Sequence, residues 1–328
     1  MDQSSSPRTE AVNAILIPPA LERFRALTGF DESPVEVRFD GWSKLAIVGR
    51  DRVFLFPRNH LAAEDAVSEV AALRALDAAG VSVAPRLLGS WHEPAIYAYP
   101  FWAVERVVGE NWADLEDRAD AARWLTLLDS LGAAIATWHR LRPSRLPPEL
   151  RRPSRVVPDH LARFLERDHL DDLARRGAGL LGGSGTDVTT WMRSLARVVE
   201  MPEVLVHGDV CENQLIVDGS ARVRAVIDWA VPGIGNPVLD FNFGEWGFGI
   251  FRYEDRFAEF RRALWGSYAR ARGLTSPDWV DVHLWFSLAD AFQLAEAERD
   301  GTLDGWGARR AASSRANLEE ATRMAGER

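Results

Sequence analysis

The sequence predicts an α+β protein of two lobes, a small antiparallel sheet with one main helix followed by a larger, mainly helical lobe. Three observations predict it. Short β-rich runs separated by turn residues crowd between positions 35 and 58, one amphipathic helix follows them, and beyond Gly109 the apolar residues recur at helical spacing. The 328 residues, 47% of them hydrophobic, are enough for two such units with packed cores.

Residues 1–10 are rich in Ser, Pro and charge, offer no core face and are expected to form a disordered tail. The first lobe is expected over 11–106 and the second over 107–328. Runs 35–39, 44–48 and 52–56 form a meander, with Asp40-Gly41 and Gly49-Arg50-Asp51 at its turns. From 62 to 79, Val67, Val70, Leu73 and Leu76 recur every three residues, so this stretch is a helix that contains Glu69 and ends at Gly80. Runs 85–90 and 97–108 complete the sheet.

In the second lobe, residues 117–140 place Ala121, Trp124, Leu125, Leu128, Leu131, Ile135 and Trp138 along one buried face. A Pro- and Arg-rich connector spans 143–158. Helices are expected at 159–174 and 187–200, with a flexible loop built on Gly177, Gly179, Gly182, Gly183 and Gly185 between them. Helical periodicity returns at 254–273, 279–299 and 306–325. No internal repeat is evident.

Composition narrows the function. A single cysteine, Cys211, excludes an internal disulfide framework and any multi-cysteine metal site. The net charge of −9 disfavours a nucleic-acid surface and suits a neutral or cationic small partner. No apolar run reaches the ~18 residues of a membrane span, and the polar N-terminus lacks a signal-peptide layout, so no membrane partner and a cytoplasmic location are expected. Of the 39 basic residues only Lys44 is a lysine.

The most informative stretch is 204–229. An apolar strand leads into His207-Gly208-Asp209, and two short strands joined by Asp218-Gly219 follow, the second delivering Asp228 at its end. Such a hairpin returns its ends to one place, so Asp209 and Asp228, 19 positions apart, converge on one cleft with Gln214 reaching in between. Phosphoryl transfer from ATP needs such a set. One carboxylate orients and deprotonates the attacking hydroxyl, and another holds Mg2+ against the triphosphate with help from a neutral oxygen ligand.

On these residues, together with Ile227-Asp228-Trp229, Gly235-Asn236-Pro237, Asp240-Phe241 and the strand-to-linker run 104–109, the sequence resembles the aminoglycoside phosphotransferase family of antibiotic and small-molecule kinases. The likeness covers most of 35–300 and implies a protein-kinase-like fold whose first lobe binds nucleotide and whose second holds the catalytic loop and acceptor site. It also implies Asp209 as catalytic base and Gln214 and Asp228 as metal ligands, with Asn213 the alternative to Gln214. Ser43, Lys44 and Glu69 would lie at the phosphates. Backbone groups from Glu105 to Val107 would read the adenine edge, and Ile47 above with Ile216 or Ile227 below would sandwich the ring. The implied cofactors are ATP, with GTP left open, and Mg2+. The implied acceptor is a hydroxyl-bearing small molecule, an aminoglycoside or other cationic antibiotic being one candidate and a metabolite another.

Two positions depart from the family pattern. Leu55 stands in the third strand where the family carries a phosphate-gripping cation, and Gln214 replaces an asparagine. Lys44, in the stretch matching the nucleotide-covering loop or the strand leaving it, is expected to supply the missing charge from the loop, with Glu69 as its partner or near neighbour; the alternative is a solvent-facing Lys44 with Arg58 or Arg52 filling in. His207 and Asp240 are expected to shape the loop rather than to react. His139 is expected to be a packed helix-end histidine. The aromatic and glycine-rich run 241–251, with Glu245, is expected at the acceptor pocket or as packing. The non-catalytic alternative is a nucleotide-binding pseudokinase or regulatory module.

Overall fold

The computed structural model describes residues 18–31, 36–38, 43–154, 165, 170–180, 188–241, 248–274, 277–302 and 305–328. The expected tail at 1–10 lies outside them.

Five antiparallel strands, β1 (Glu36–Arg38), β2 (Lys44–Val48), β3 (Arg52–Pro57), β4 (Leu87–Trp91) and β5 (Phe101–Glu105), form the sheet of the first lobe in the order β1-β2-β3-β5-β4. The register sets Lys44 opposite Pro57, Ala46 opposite Leu55, and Leu55 opposite Trp102. Alternation along a strand then separates two faces. Leu45, Ile47, Phe54 and Phe56 enter an aromatic cluster with Phe24, Phe30 and Phe101, whereas Val53 and Leu55 pack on the main core. Helix α1 (Pro18–Thr28), which the sequence analysis did not anticipate, contributes Phe24, whose ring centroid lies 4.8 Å from that of Phe54.

Helix α2 (His60–Ala78) crosses the other face of the sheet. It begins two residues before the expected start because Asn59 accepts the Ala62 amide at 2.9 Å and caps it. It ends at Gly80, whose φ of +71° reverses the chain.

The second lobe opens with β6 (Glu110–Asn111) and α3 (Ala121–Trp138). Helix α3 starts at 121 rather than 117, since Asp120 caps it through the Arg123 amide and Glu116–Arg118 form a 3-10 turn. Helices α4 (Leu170–Leu180) and α5 (Val188–Val199) follow. The expected loop at Gly177 and Gly179 is instead helical. A Cβ on Gly177 would lie 2.3 Å from Leu288 Cδ1, so this glycine serves close helix packing and not chain flexibility. Gly182, Gly183 and Gly185, and most of the helix expected over 159–174, lie outside the described residues.

Strands β7 (Val204–Val206), β8 (Leu215–Val217), β9 (Val223–Val226) and β10 (Gly233–Gly235) then make two small ladders, β10-β7 and β6-β8-β9. The short α6 (Phe248–Phe251), not expected from the sequence, and the long α7 (Phe257–Arg272), α8 (Trp279–Arg299) and α9 (Gly305–Gly326), near their expected positions, complete the chain. Among the described residues no helix is long and apolar enough to cross a membrane.

Candidate active site

Strand β7 delivers the chain into His207-Gly208-Asp209. Gly208 has φ +85°, and a Cβ there would lie 2.5 Å from Ser154 Oγ, so glycine alone fits this tight exit from the strand. The fully buried carboxylate of Asp240 fixes the exit. It accepts the backbone amides of His207 and Gly208, each at 2.9 Å, as well as Trp138 Nε1 at 2.9 Å and His139 Nε2 at 3.0 Å. Burial works against the charged form of Asp240, yet these partners outweigh it and hold its pKa below the usual carboxylate range.

His207 joins the two halves of the motif. Its Nε2 donates to the Ile227 carbonyl at 2.9 Å, its Nδ1 accepts the Asp209 amide at 3.3 Å, and its ring packs edge-on against Trp229. The expected structural task of His207 thus has a concrete form. It ties the loop bearing Asp209 to the strand end bearing Asp228.

Asp228 has φ +63°, a conformation a non-glycine residue keeps only where its surroundings hold it. One of its oxygens takes an ion pair from Lys44, and its side chain remains 37% exposed. Lys44 Nζ also reaches Glu69 Oε2 at 2.6 Å and lies 5.7 Å from the Trp102 ring centroid. Glu69 is buried on α2 and Lys44 is the first residue of β2, so one ammonium joins the sheet, the helix and the segment bearing Asp228.

Electrostatics follow from that sharing. Burial alone would depress the Lys44 pKa, but Asp228 and then Glu69 outweigh it and hold the ammonium above the ordinary lysine range. Burial raises both carboxylates; Lys44 reverses this at Asp228, whose pKa falls, but not at Glu69, whose pKa stays raised. Asp209 is also raised, first by burial and then by Asp228, with His207 and Lys44 opposing. Three carboxylates therefore face one lysine, which leaves a surplus of negative charge and hard oxygen donors. Such a donor set fits Mg2+, which binds through one or two carboxylates plus substrate phosphates. Among the described residues no three His, Cys, Asp or Glu side chains form a metal cage by themselves.

Gln214, in the 3-10 turn Glu212–Gln214, donates through Nε2 to Asp209 Oδ2 at 3.2 Å, while its Oε1 accepts from the Cys211 thiol. Asn213 is exposed, and its carbonyl is held by Asn111 Nδ2 at 2.8 Å. Of the two amides, only Gln214 thus reaches Asp209.

Other predicted positions divide. Ser43 directs its carbonyl to the Arg58 amide at 2.8 Å, beside the start of β2. The Glu105 amide is used by the Arg86 carbonyl at 2.9 Å, whereas Val107 makes no backbone hydrogen bond among the described residues. Ile227 and Ile216 are half-buried. Ile47 is a correction. Alternation along β2 turns it into the aromatic cluster with Leu45, on the face opposite Lys44, so it cannot cover a ring in the cleft. Arg52 pairs with its neighbour Asp51 at 2.8 Å. In the aromatic run, 242–247, with Glu245, lies outside the described residues.

Two acidic residues escaped sequence reasoning. Burial, then Glu212 and Asp117, raises the Glu116 pKa to about 7. Glu212 is buried within the Asp209 loop. Its place between Asp209 and Gln214 was a visible signal; nothing in the sequence marked Glu116, which reaches it only through the fold. The Asp240 partners Trp138 and His139 were likewise seen as packing residues, and His139 also contacts Tyr268 Oη at 3.0 Å.

A two-lobed fold with a glycine-turned His-Gly-Asp loop and a second aspartate held beside a lysine–glutamate pair defines a kinase-like protein. The chain matches the family model described as the phosphotransferase enzyme family over residues 39–285, more than half its length, and belongs to that family. No curated protein matches the sequence. Solved structures agree on the fold. The GDP complex of aminoglycoside 2'-phosphotransferase-IIIa aligns with a TM-score of 0.54 at 18% identity, covering 94% of this chain and 99% of that one. A putative aminoglycoside phosphotransferase from Ralstonia eutropha JMP134 gives 0.53 at 18%, covering 95% and 98%. The streptomycin–ATP complex of APH(2")-IIa gives 0.52 at 13%, covering 92% and 96%.

Proposed function

We propose that this phosphotransferase moves the γ-phosphoryl group of ATP to a hydroxyl of a small molecule, with Mg2+ as cofactor. The observation that carries the proposal is the ammonium of Lys44, joined at once to Glu69 and to Asp228 on the segment that also bears Asp209. Asp209 orients the acceptor hydroxyl and takes its proton as transfer proceeds; Gln214, bonded to Asp209, keeps that carboxylate turned. Asp228 would hold Mg2+, joined by the Gln214 amide oxygen once it leaves its contact with the Cys211 thiol; the ion when bound supplies charge neutralisation at the phosphates. Lys44 supplies the phosphate-side cation in place of Leu55, Glu69 fixes its direction, and Ser43, just before β2, is assigned to the phosphates as well. The adenine edge is assigned to the backbone near Val107, with Ile216 and Ile227 below it.

The acceptor carries a cationic group in this reading. Support comes from Glu116 and Glu212, which bring two carboxylates close together beside the Asp209 loop, and from neighbours of the same fold bound to streptomycin, kanamycin and gentamicin. GDP, ADP and ATP complexes among those neighbours support nucleotide use, ATP being taken as donor. A cytoplasmic reaction follows from that donor.

The test is a nucleotide-coupled turnover screen over hydroxyl-bearing compounds, with Asp209→Asn in parallel. Phosphorylation of at least one acceptor, lost in the variant, is expected. Activity that survives in Asp209→Asn overturns the assignment of the base. Saturable MgATP binding with no acceptor turned over would instead support a nucleotide-binding regulatory module.

A further inference from the structure

A cleft of about 1380 Å3 opens away from the carboxylates, and neither Lys44, Glu69, Asp209, Gln214 nor Asp228 lines it. It runs between the outer face of α2, the end of β4 and the chain leaving α3. Its floor is Val67, Val70, Ala71, Arg74, Ala75 and Ala78, positions three and four apart that make one stripe of α2. A helix face turned to solvent is ordinarily polar. This one carries a single charge, Arg74, and is only partly turned inward: Val70, Ala71 and Ala75 pack on the main core, while Val67 is 55% exposed and Arg74 and Ala78 are exposed.

The rim has the opposite character. Arg74, Arg140, Arg142, Arg145 and Arg151 border the cleft, against one acidic residue, Glu149, in a chain of net charge −9. Their hydrogen bonds go to neutral groups: Arg74 to Ser90 Oγ at 2.8 Å, Arg140 to the Ala271 carbonyl at 2.5 Å, and Arg151 to the carbonyls of Leu146 at 2.7 Å and Ser144 at 3.1 Å. Among the described residues none of the five forms an ion pair with a carboxylate. Elsewhere in the second lobe Arg197, Arg256, Arg261 and Arg270 all do.

Unpaired guanidinium forks suit carboxylates, and an apolar floor suits aliphatic or aromatic side chains. The cleft exceeds the ~300–1,000 Å3 of an ordinary small-molecule site, and its arginines are spread along residues 140–151 with Arg74 facing them from α2, which suits an extended ligand with several carboxylates. We propose that this groove docks an acidic segment of a partner protein whose carboxylates meet the arginine rim while its apolar side chains cover the α2 stripe. Glu69 projects from the opposite face of α2, so the docked segment bears on the back of the helix that holds the partner of Lys44.

The experiment selects random-sequence peptides displayed on phage against the intact chain and measures the enriched peptides by fluorescence polarisation. Enriched sequences combining Asp or Glu with apolar residues are expected, with binding that weakens as salt rises and falls about tenfold or more in Arg142→Glu/Arg145→Glu and in Val67→Asp. These side chains are exposed, so loss of fold is not expected and thermal unfolding checks it. No enrichment, enrichment without acidic bias, or equal binding to the charge-reversed variant overturns the proposal. Self-association in sedimentation velocity that the same variants abolish would assign the groove to a second copy of the chain and equally overturn it.

Discussion

The two lobes build their sides of the cleft by different means. In the helical lobe the site is nearly contiguous in sequence: His207, Asp209, Gln214, Asp228 and Asp240 lie within one segment, and four donors converge on Asp240 to hold it. In the sheet lobe the site depends on register. Lys44 and Leu55 share one face of neighbouring strands, with Ala46 directly opposite Leu55, so a cation can move between those strands and still reach Glu69. A loop clamped by its own backbone tolerates little change, whereas a cation carried on a long flexible stem tolerates relocation.

Predictions that would break or sharpen this contrast begin with the loop. Asp209→Asn should lower kcat by about 10²–10⁴, the usual contribution of a positioned general base, with MgATP affinity little changed in a calorimetric titration. Lys44→Ala should cost about 10²–10³ in kcat/KM for ATP, the scale seen when one charge-stabilising donor is removed. Adding Leu55→Lys to Lys44→Ala should restore part of that loss. Recovery would show that the two strand positions are interchangeable, and its absence would show that Lys44 has a geometry of its own.

Asp240→Asn should be felt first as lost stability, by about 1–3 kcal/mol for each buried donor left unpaired, and then as a lower kcat at similar KM; denaturant unfolding beside steady-state kinetics separates the two. The smallest effect is at Glu116. Its pKa rises from 4.5 in the unfolded chain to about 7 in the fold, so between these values the folded state holds a proton that the unfolded state has lost. Stability therefore falls as pH rises from about 4.5 to about 7, and Glu116→Gln should remove that slope in thermal unfolding measured across this window.

What the sequence revealed follows the same division. The helical-lobe motif was legible because its residues lie close in the chain and a hairpin must return its ends together. Lys44 was legible as the only lysine, but its simultaneous contact with Glu69 and Asp228 is a tertiary fact. Ile47 was set on the wrong face although the alternation of Lys44, Ala46 and Leu55 against Leu45 and Ile47 was already present in the strand. Gly177 misled because a glycine packed against Leu288 looks in sequence like a glycine in a loop. Glu116 and Glu212 are far apart in the chain and meet only where Trp112–Asp114 lies along the Asp209 loop.

The central claim is that Lys44 carries the phosphate-side charge of a site whose base is Asp209. Its most direct test is steady-state phosphoryl transfer to an acceptor identified by the screen, measured across ATP concentrations for the wild type and Lys44→Ala. The account predicts a loss of about 10² or more in kcat/KM for ATP. Wild-type kcat/KM in the variant would contradict it.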